Sequence, residues 1–264
     1  MHNFTTIEIE KKGRYATIWL SRPEKHNALN ALMIEELAAA FDVCIDDSGL
    51  RLIILRGKGR SFSAGADLNY MKDIAGYGHD QNYKDALRLA SLFEKVYTCP
   101  KPVIAFVHGS AFGGANGLSA ACDIVLADID TTFAFTEVKI GITPATISPY
   151  VIRRCGEAAA RELMLTGRRF SADEAYRFLL VNKVVSTETL EIELQHYTDL
   201  LLSSGPHAVE QCKKLIRVVS STASDTSELM RFTANMIASQ RASEEGQEGI
   251  NSFFDKRKPN WVQP

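Results

Sequence analysis

Little in this 264-residue chain marks a specialised class, and each missing feature removes one. An excess of one charge is missing: 30 Lys and Arg face 32 Asp and Glu, a net of −2. Without a basic surplus there is no electrostatic footprint for nucleic acid or an anionic membrane surface, and neither partner is expected. Long apolar runs are missing, so no segment is expected to span a bilayer. The opening "MHNFTTIEIEKKG" alternates where a secretory leader would carry an apolar core, and a cytoplasmic protein is expected. Cysteine follows no pattern: Cys44, Cys99, Cys122, Cys155 and Cys212 are odd in number and lack CxxC spacing. They read as reduced, mostly buried thiols. The six histidines show no HxH or HxxxH spacing, so no metal centre is expected. No stretch has the composition of a flexible linker.

What remains is ordinary globular composition, 45% hydrophobic and 23% charged, which suits one large domain or two smaller ones. "TIEIE" (6–10) and "YATIWL" (15–20) flank "KKGR", a hairpin signal. Asn30 is placed to cap a helix whose Met33, Leu37, Phe41 and Cys44 share one face. "LIILRG" (52–57) and "KPVIAFVHG" (101–109) read as buried strands, with a helix near 82–97 between them. "DIVLAD" (123–128) and "TFAFTE" (132–137) read as further strands. The alternation is too irregular for a doubly wound sheet. Beyond residue 145 the spacing is almost wholly helical. "SADE" (171–174) forms a capping box, and helical segments fall near 188–203, 206–219, 225–243 and 244–255. The expected organisation is an α/β (α+β) core over 1–200 and a helical region over 201–264 that serves as cover or oligomer surface.

Two loops share one logic. "SFSAGADL" (61–68) and "AFGGANGL" (111–118) each follow a buried strand and present small residues before a turn. Small side chains let a ligand approach the main chain. Amides at a helix start have no intrahelical acceptor, and the helix dipole favours negative charge there. Two such amides converging on one point make an oxyanion hole. Either loop alone is equally a device for close helix–strand packing.

Five segments carry a resemblance: "RPEKHNAL" (22–29), "SFSAGADL", "HGSAFGGANGLSAACDI" (108–124), "FTEVKIGITP" (135–144) and "LTGRRFSADEAYRFLLVNKVV" (165–185). In this order and spacing the chain resembles the crotonase (enoyl-CoA hydratase/isomerase) superfamily over essentially its full length. The resemblance implies a spiral of ββα turns, a helical C-terminal trimerisation region and an acyl thioester of coenzyme A as substrate. Coenzyme A then belongs to the substrate, and no separate cofactor is expected. It implies a homotrimer or a dimer of trimers. The oxyanion-hole positions of similar proteins fall on Ala66 and Gly114. One of their two catalytic glutamates falls on Glu137. The other, three residues after the second glycine, falls on Gly117. Positions that meet coenzyme A fall on Lys25, Ala28, Ala64, Asp67 and Leu68, with Lys258 as a C-terminal basic contact. Asp123 and His108 read as structural residues.

The missing glutamate bears on the reaction. Hydration places water at the β-carbon and a proton at the α-carbon, which two carboxylates do well. Double-bond isomerisation needs one base. Against that chemical preference, "GITPATISPYVIRRCGE" (141–157) makes the chain similar to the branch of bacterial 3-methylglutaconyl-CoA hydratases. Hydration by a single glutamate is therefore the first expectation, and isomerisation the alternative. A substrate with a distal carboxylate calls for a cation, for which Lys139, Arg153 and Arg154 are candidates. A non-catalytic coenzyme A-binding scaffold is the third reading, and Glu137 argues against it, since a scaffold has no need of that carboxylate.

Overall fold

The computed structural model describes residues 4–221 and 226–262. Two compact units make up the chain: Met1–Cys99 with Val103–Glu193, and Pro100–Pro102 with Leu194–Pro264.

The first unit is built on a six-stranded sheet of β1 (Ile7–Lys12), β2 (Tyr15–Leu20), β3 (Leu52–Gly57), β4 (Val103–Val107), β6 (Ile124–Asp128) and β9 (Lys183–Val185), in that order. β1 and β2 form the antiparallel hairpin the sequence announces, and every later pairing is parallel. Parallel strands are covered on both faces, which is why β3 and β4 read as unbroken apolar runs. A smaller sheet holds β5 (Ser110–Phe112), β7 (Thr132–Ala134) and β8 (Arg169–Ser171), with β7 in the middle. Phe112 pairs in register with Ala134 across β5 and β7.

Helix α1 (Ala31–Asp46) starts where Asn30 accepts the Met33 amide at 2.9 Å. Its Met33, Leu37, Phe41 and Cys44 are fully buried, as their spacing predicts. α2 (Leu68–Ala75) and α3 (His79–Thr98) follow. α2 is absent from the sequence expectation, which runs its residues as loop. It buries none of its residues, so no apolar periodicity announces it, and it is held by the side chain of Asp67 at its N-terminus. α4 (Gly114–Ala120) opens from the glycine pair, and α5 (Ser148–Thr166) breaks at Gly156, where φ is 74°. α6 (Ala172–Arg177) begins with the expected capping box, Ser171 and Glu174 bonding reciprocally. The short strands β8 and β9 qualify the expectation of an almost wholly helical chain past residue 145. At three residues each they are too brief to show alternation.

The second unit is helical. α7 (Leu190–Ser203) leads into it, followed by α8 (Pro206–Ser221), α9 (Thr226–Ala242) and α10 (Glu244–Phe254). The Glu245 carboxylate accepts the first amides of α8, from His207 at 2.9 Å and Ala208 at 2.8 Å. Phe253 and Phe254 at the end of α10 are exposed.

Candidate active site

The two small-residue loops lie side by side, laced by main-chain hydrogen bonds. The Phe62 amide donates to the His108 carbonyl, Ser63 to Ser110, and Phe112 back to Ser63. Gly65, at φ 90°, lies so close to the second loop that a Cβ there would sit 2.7 Å from the Phe112 carbonyl oxygen. Only glycine allows that approach. Ala66 follows this contact by one residue and Gly114 by two.

On its other edge the first loop pairs with residues 26–29. Ala64 donates to the His26 carbonyl, Leu29 to Gly65, and Asp67 to Leu29. The Leu29–Ala66 bridge is parallel, so Ala66 turns its own N–H away from Leu29. That N–H meets no acceptor among the described residues. Neither does the N–H of Gly114, the first residue of α4. Two unbonded amides therefore stand on adjoining loops, one of them on a helix start where the dipole favours an anion.

Glu137 sits in a single 3-10 turn, Thr136–Ile140, just after β7. Its carboxylate packs on the glycine pair: a Cβ at Gly113 would lie 3.0 Å from Oε1 and 3.5 Å from Cδ. Gly113 also adopts φ 51° and ψ −120°, closed to ordinary side chains. The carboxylate is half-buried, and its Oε2, out of contact with solvent, has no hydrogen-bond partner. Burial pushes the pKa of Glu137 above the usual carboxylate value, against a smaller opposing pull from its own backbone amide. A base, two free amides and a close steric fit thus share one corner of the first unit.

Asn116 ties that corner together. It is fully buried, and its Nδ2 donates to the Ala134 carbonyl at 2.8 Å. The same carbonyl accepts the Gly113 amide at 3.0 Å. The glycine turn is thereby held to the strand that ends three residues before Glu137.

A cleft of about 430 Å³ is lined by Lys25, His26, Ala28, Ala64, Ala66, Asp67 and Leu68, together with Glu24 and Asn69. The structure brings five expected coenzyme A positions and one expected oxyanion position to a single cavity. Asp67 serves it by structure. Its Oδ1 accepts the Asn69 amide at 2.9 Å, and its Oδ2 pairs with Arg22 at 2.8 Å. Burial works to raise its pKa, but the Arg22 bond and the helix amides outweigh that and hold it below the ordinary value. Arg22 Nη1 donates to the Ala28 carbonyl at 2.6 Å. Asn27, buried and left-handed at φ 53°, donates to Lys58 and Ser61 carbonyls and accepts the Arg22 amide. Lys258 lies in the second unit, exposed, beyond α10.

A larger groove of about 780 Å³ runs along α1 and α3 and holds none of the expected residues. Its Arg88 and Lys95 are engaged with Glu35, Asp85 and Asp42, and Lys84 lines it exposed to solvent.

The Enoyl-CoA hydratase/isomerase family model matches residues 10–264. The chain belongs to that family. A crystal structure of an enoyl-CoA hydratase from Shewanella pealeana superposes with a TM-score of 0.95 at 38% identity, covering 98% of this chain and 96% of the other. The crotonyl-CoA hydratase of Syntrophomonas wolfei is 33% identical over 98% of both chains. The short-chain-enoyl-CoA hydratase of Clostridium acetobutylicum is 31% identical over 96% of this chain and 95% of its own. All three are hydratases by name, and none of the names points to the 3-methylglutaconyl branch.

Within this family member, three residues singled out from sequence are engaged in holding structure. Arg154 donates to the Ala120, Cys122, Asp123 and Leu180 carbonyls and to Asn182 Oδ1. That commits its guanidinium to the C-terminal end of α4 and removes it as a cation for a distal substrate carboxylate. Asp123 accepts the Val103 amide at 2.7 Å. His108 stacks on Phe106 and bonds Gly59 through Nε2, and burial lowers its pKa. Asn27, Arg22 and Asn116 do the positioning; they lie in segments that carry the family resemblance, but none was singled out as a site residue.

Proposed function

We propose that the protein hydrates a 2-enoyl-CoA thioester, with Glu137 as the proton-transfer group and the amides of Ala66 and Gly114 as the oxyanion hole. The observation that carries this reading is the half-buried Glu137 carboxylate packed on Gly113, its Oε2 shielded from solvent and without a hydrogen-bond partner, beside a helix start whose first amide is unbonded. Two fixed amides stabilise the enolate oxygen without a charged side chain. Glu137 takes a proton from water as the hydroxyl adds to the β-carbon. It then delivers that proton to the α-carbon as the enolate collapses, and is again a carboxylate. Its raised pKa brings acid and base forms closer in energy, as a group that must do both requires. The cleft at Lys25, Ala28, Ala64, Asp67 and Leu68 takes the coenzyme A portion, and the reaction needs no other organic group. The finer reading, a 3-methylglutaconyl thioester, requires a cation for its distal carboxylate. Of the three candidates, Lys139 shares the turn of Glu137, Arg153 lies over the Tyr97 ring, and Arg154 is committed to main-chain carbonyls. The family resemblance supports assembly as a trimer or pair of trimers, against which sedimentation at single-chain mass would count.

Isomerisation is the second reading, and one observation favours it: position 117, where a second carboxylate would stand, is a buried glycine. Isotope incorporation separates the two. Hydration puts labelled water oxygen into the product of a 2-enoyl-CoA, and loss of that label in Glu137→Gln is expected. A double-bond shift in a 3-enoyl-CoA with no label taken up from any 2-enoyl-CoA would replace hydration by isomerisation. Full hydration by Glu137→Gln would reject the assignment of the base.

A further inference from the structure

Gly113 is the N-cap of α4, and Gly117 lies one turn into that helix. At Gly113 the neighbour is the Glu137 carboxylate. At Gly117 it is Ile147: a Cβ there would sit 2.2 Å from Ile147 Cγ2, 2.7 Å from its Cβ and 3.2 Å from Phe93 Cε2. Carbon atoms pack at about 3.5–4.0 Å, so Ile147 and any side chain at 117 exclude each other.

Ile147 has little freedom to yield. It is 1% exposed and stands at the N-cap of α5, with Pro149 in the first turn behind it. As a β-branched residue it is stiff at χ1. Tyr150, one turn on, packs edge-on to Phe93 with ring centroids 6.1 Å apart, and its hydroxyl donates to Glu94 at 3.0 Å. The "ISPY" segment is thus a packed wall whose leading residue is Ile147.

We infer that Ile147 is a specificity-determining residue: with Phe93 it fills the volume a side chain at 117 would take and so restricts proton transfer to one carboxylate. This rests on the reading of Glu137 as that carboxylate. Ile147 and Phe93 offer no donor or acceptor to the attacking water, which leaves Glu137 as the one carboxylate proposed to orient it. The site cannot acquire a second acid by a single substitution at 117, because the wall must be removed first.

A double-mutant cycle tests the packing. Gly117→Ala places a methyl group on Ile147 and is expected to lower the melting temperature by several degrees. Added to Ile147→Ala, the same change is expected to cost much less, or to stabilise. Equal effects in the two backgrounds, or a Gly117→Ala protein that melts with the wild type, would overturn the inference. The chemical arm uses crotonyl-CoA in the Glu137→Gln background. Gly117→Glu with Ile147→Ala is expected to raise hydration at least tenfold over Glu137→Gln with Ile147→Ala, and to bring back a carboxylate ionisation in the pH profile. A folded triple variant without rescue overturns the inference. If that variant does not fold, Gly117→Asp replaces Gly117→Glu with the same readout. Should Glu137→Gln alone keep full activity, the proposed base falls, and the melting cycle still reports on Ile147.

Discussion

Gly114→Pro deletes one hydrogen-bond donor and little else. Gly114 is the first residue of α4, where proline is well tolerated because the N–H there has no intrahelical acceptor. The preceding Gly113, at φ 51° and ψ −120°, is the mirror image of the extended backbone that proline requires before it, and an achiral residue adopts it freely. A Cβ at 114 would approach Leu29 Cδ1 to 3.3 Å, a tight contact with the end of a flexible side chain. The substitution therefore leaves the fold in place while removing an amide proposed to bond the enolate oxygen. Loss of one oxyanion donor costs about 2.7–4 kcal/mol, or roughly 10²–10³ in kcat. Gly114→Ala is the control, since it adds the same Cβ contact and keeps the N–H. The comparison is made on crotonyl-CoA by the loss of enoyl-thioester absorbance, with circular dichroism and melting to confirm the fold. Gly114→Ala is expected to stay close to wild type, and Gly114→Pro to fall about 100-fold below it. A folded Gly114→Pro protein turning over within about threefold of the alanine control would refute the oxyanion assignment, because a loss that small is far below the worth of one donor.

Glu137 yields a paired prediction of rate and stability. Its folded pKa is raised by burial, so kcat/KM is expected to fall with acidification through a pKa above the ordinary carboxylate value of 4.5. A raised pKa means the folded state favours the protonated form, a contribution present below the unfolded pKa and lost as pH rises through the folded one. Glu137→Gln is therefore expected to melt higher than wild type at pH 7, with the gap closing towards pH 4; a lower melting temperature at pH 7 would contradict the burial argument. Asp67→Ala removes a helix cap, worth about 1 kcal/mol, and leaves the largely buried Arg22 without its counter-charge. A total loss of about 2–4 kcal/mol in urea unfolding is expected, with KM for the thioester raised more than kcat is lowered.

The glycine turn and its chemistry were legible because they demand particular residue types. Gly65 and Gly113 are written where backbone meets backbone or carboxylate, and no other residue fits there. Glu137 was legible through its family match. What escaped the sequence lacks local periodicity. α2 turns no apolar face inward, and β9 joins the main sheet with three residues drawn from beyond α6. The structural roles of Asn116 and Arg154 escaped for another reason. Their partners, the carbonyls of Ala134, Ala120, Cys122 and Leu180, are main-chain atoms that leave no trace in composition. Ile147 reads as one more core residue until the missing Cβ at 117 is placed in space.

The pairing of Phe112 with Ala134 has an implication for change over time. Gly114 lies two residues beyond Phe112 and Glu137 three residues beyond Ala134, so amide and acid descend from the two sides of one rung of the β-ladder. Their spacing is set by peptide geometry, which every substitution inherits unaltered, rather than by side-chain volumes, which drift. A lineage can exchange most of its interior and keep this interval. The tolerance also directs engineering. New acyl preferences are best sought among residues around the ladder, where alterations leave the ruler itself untouched.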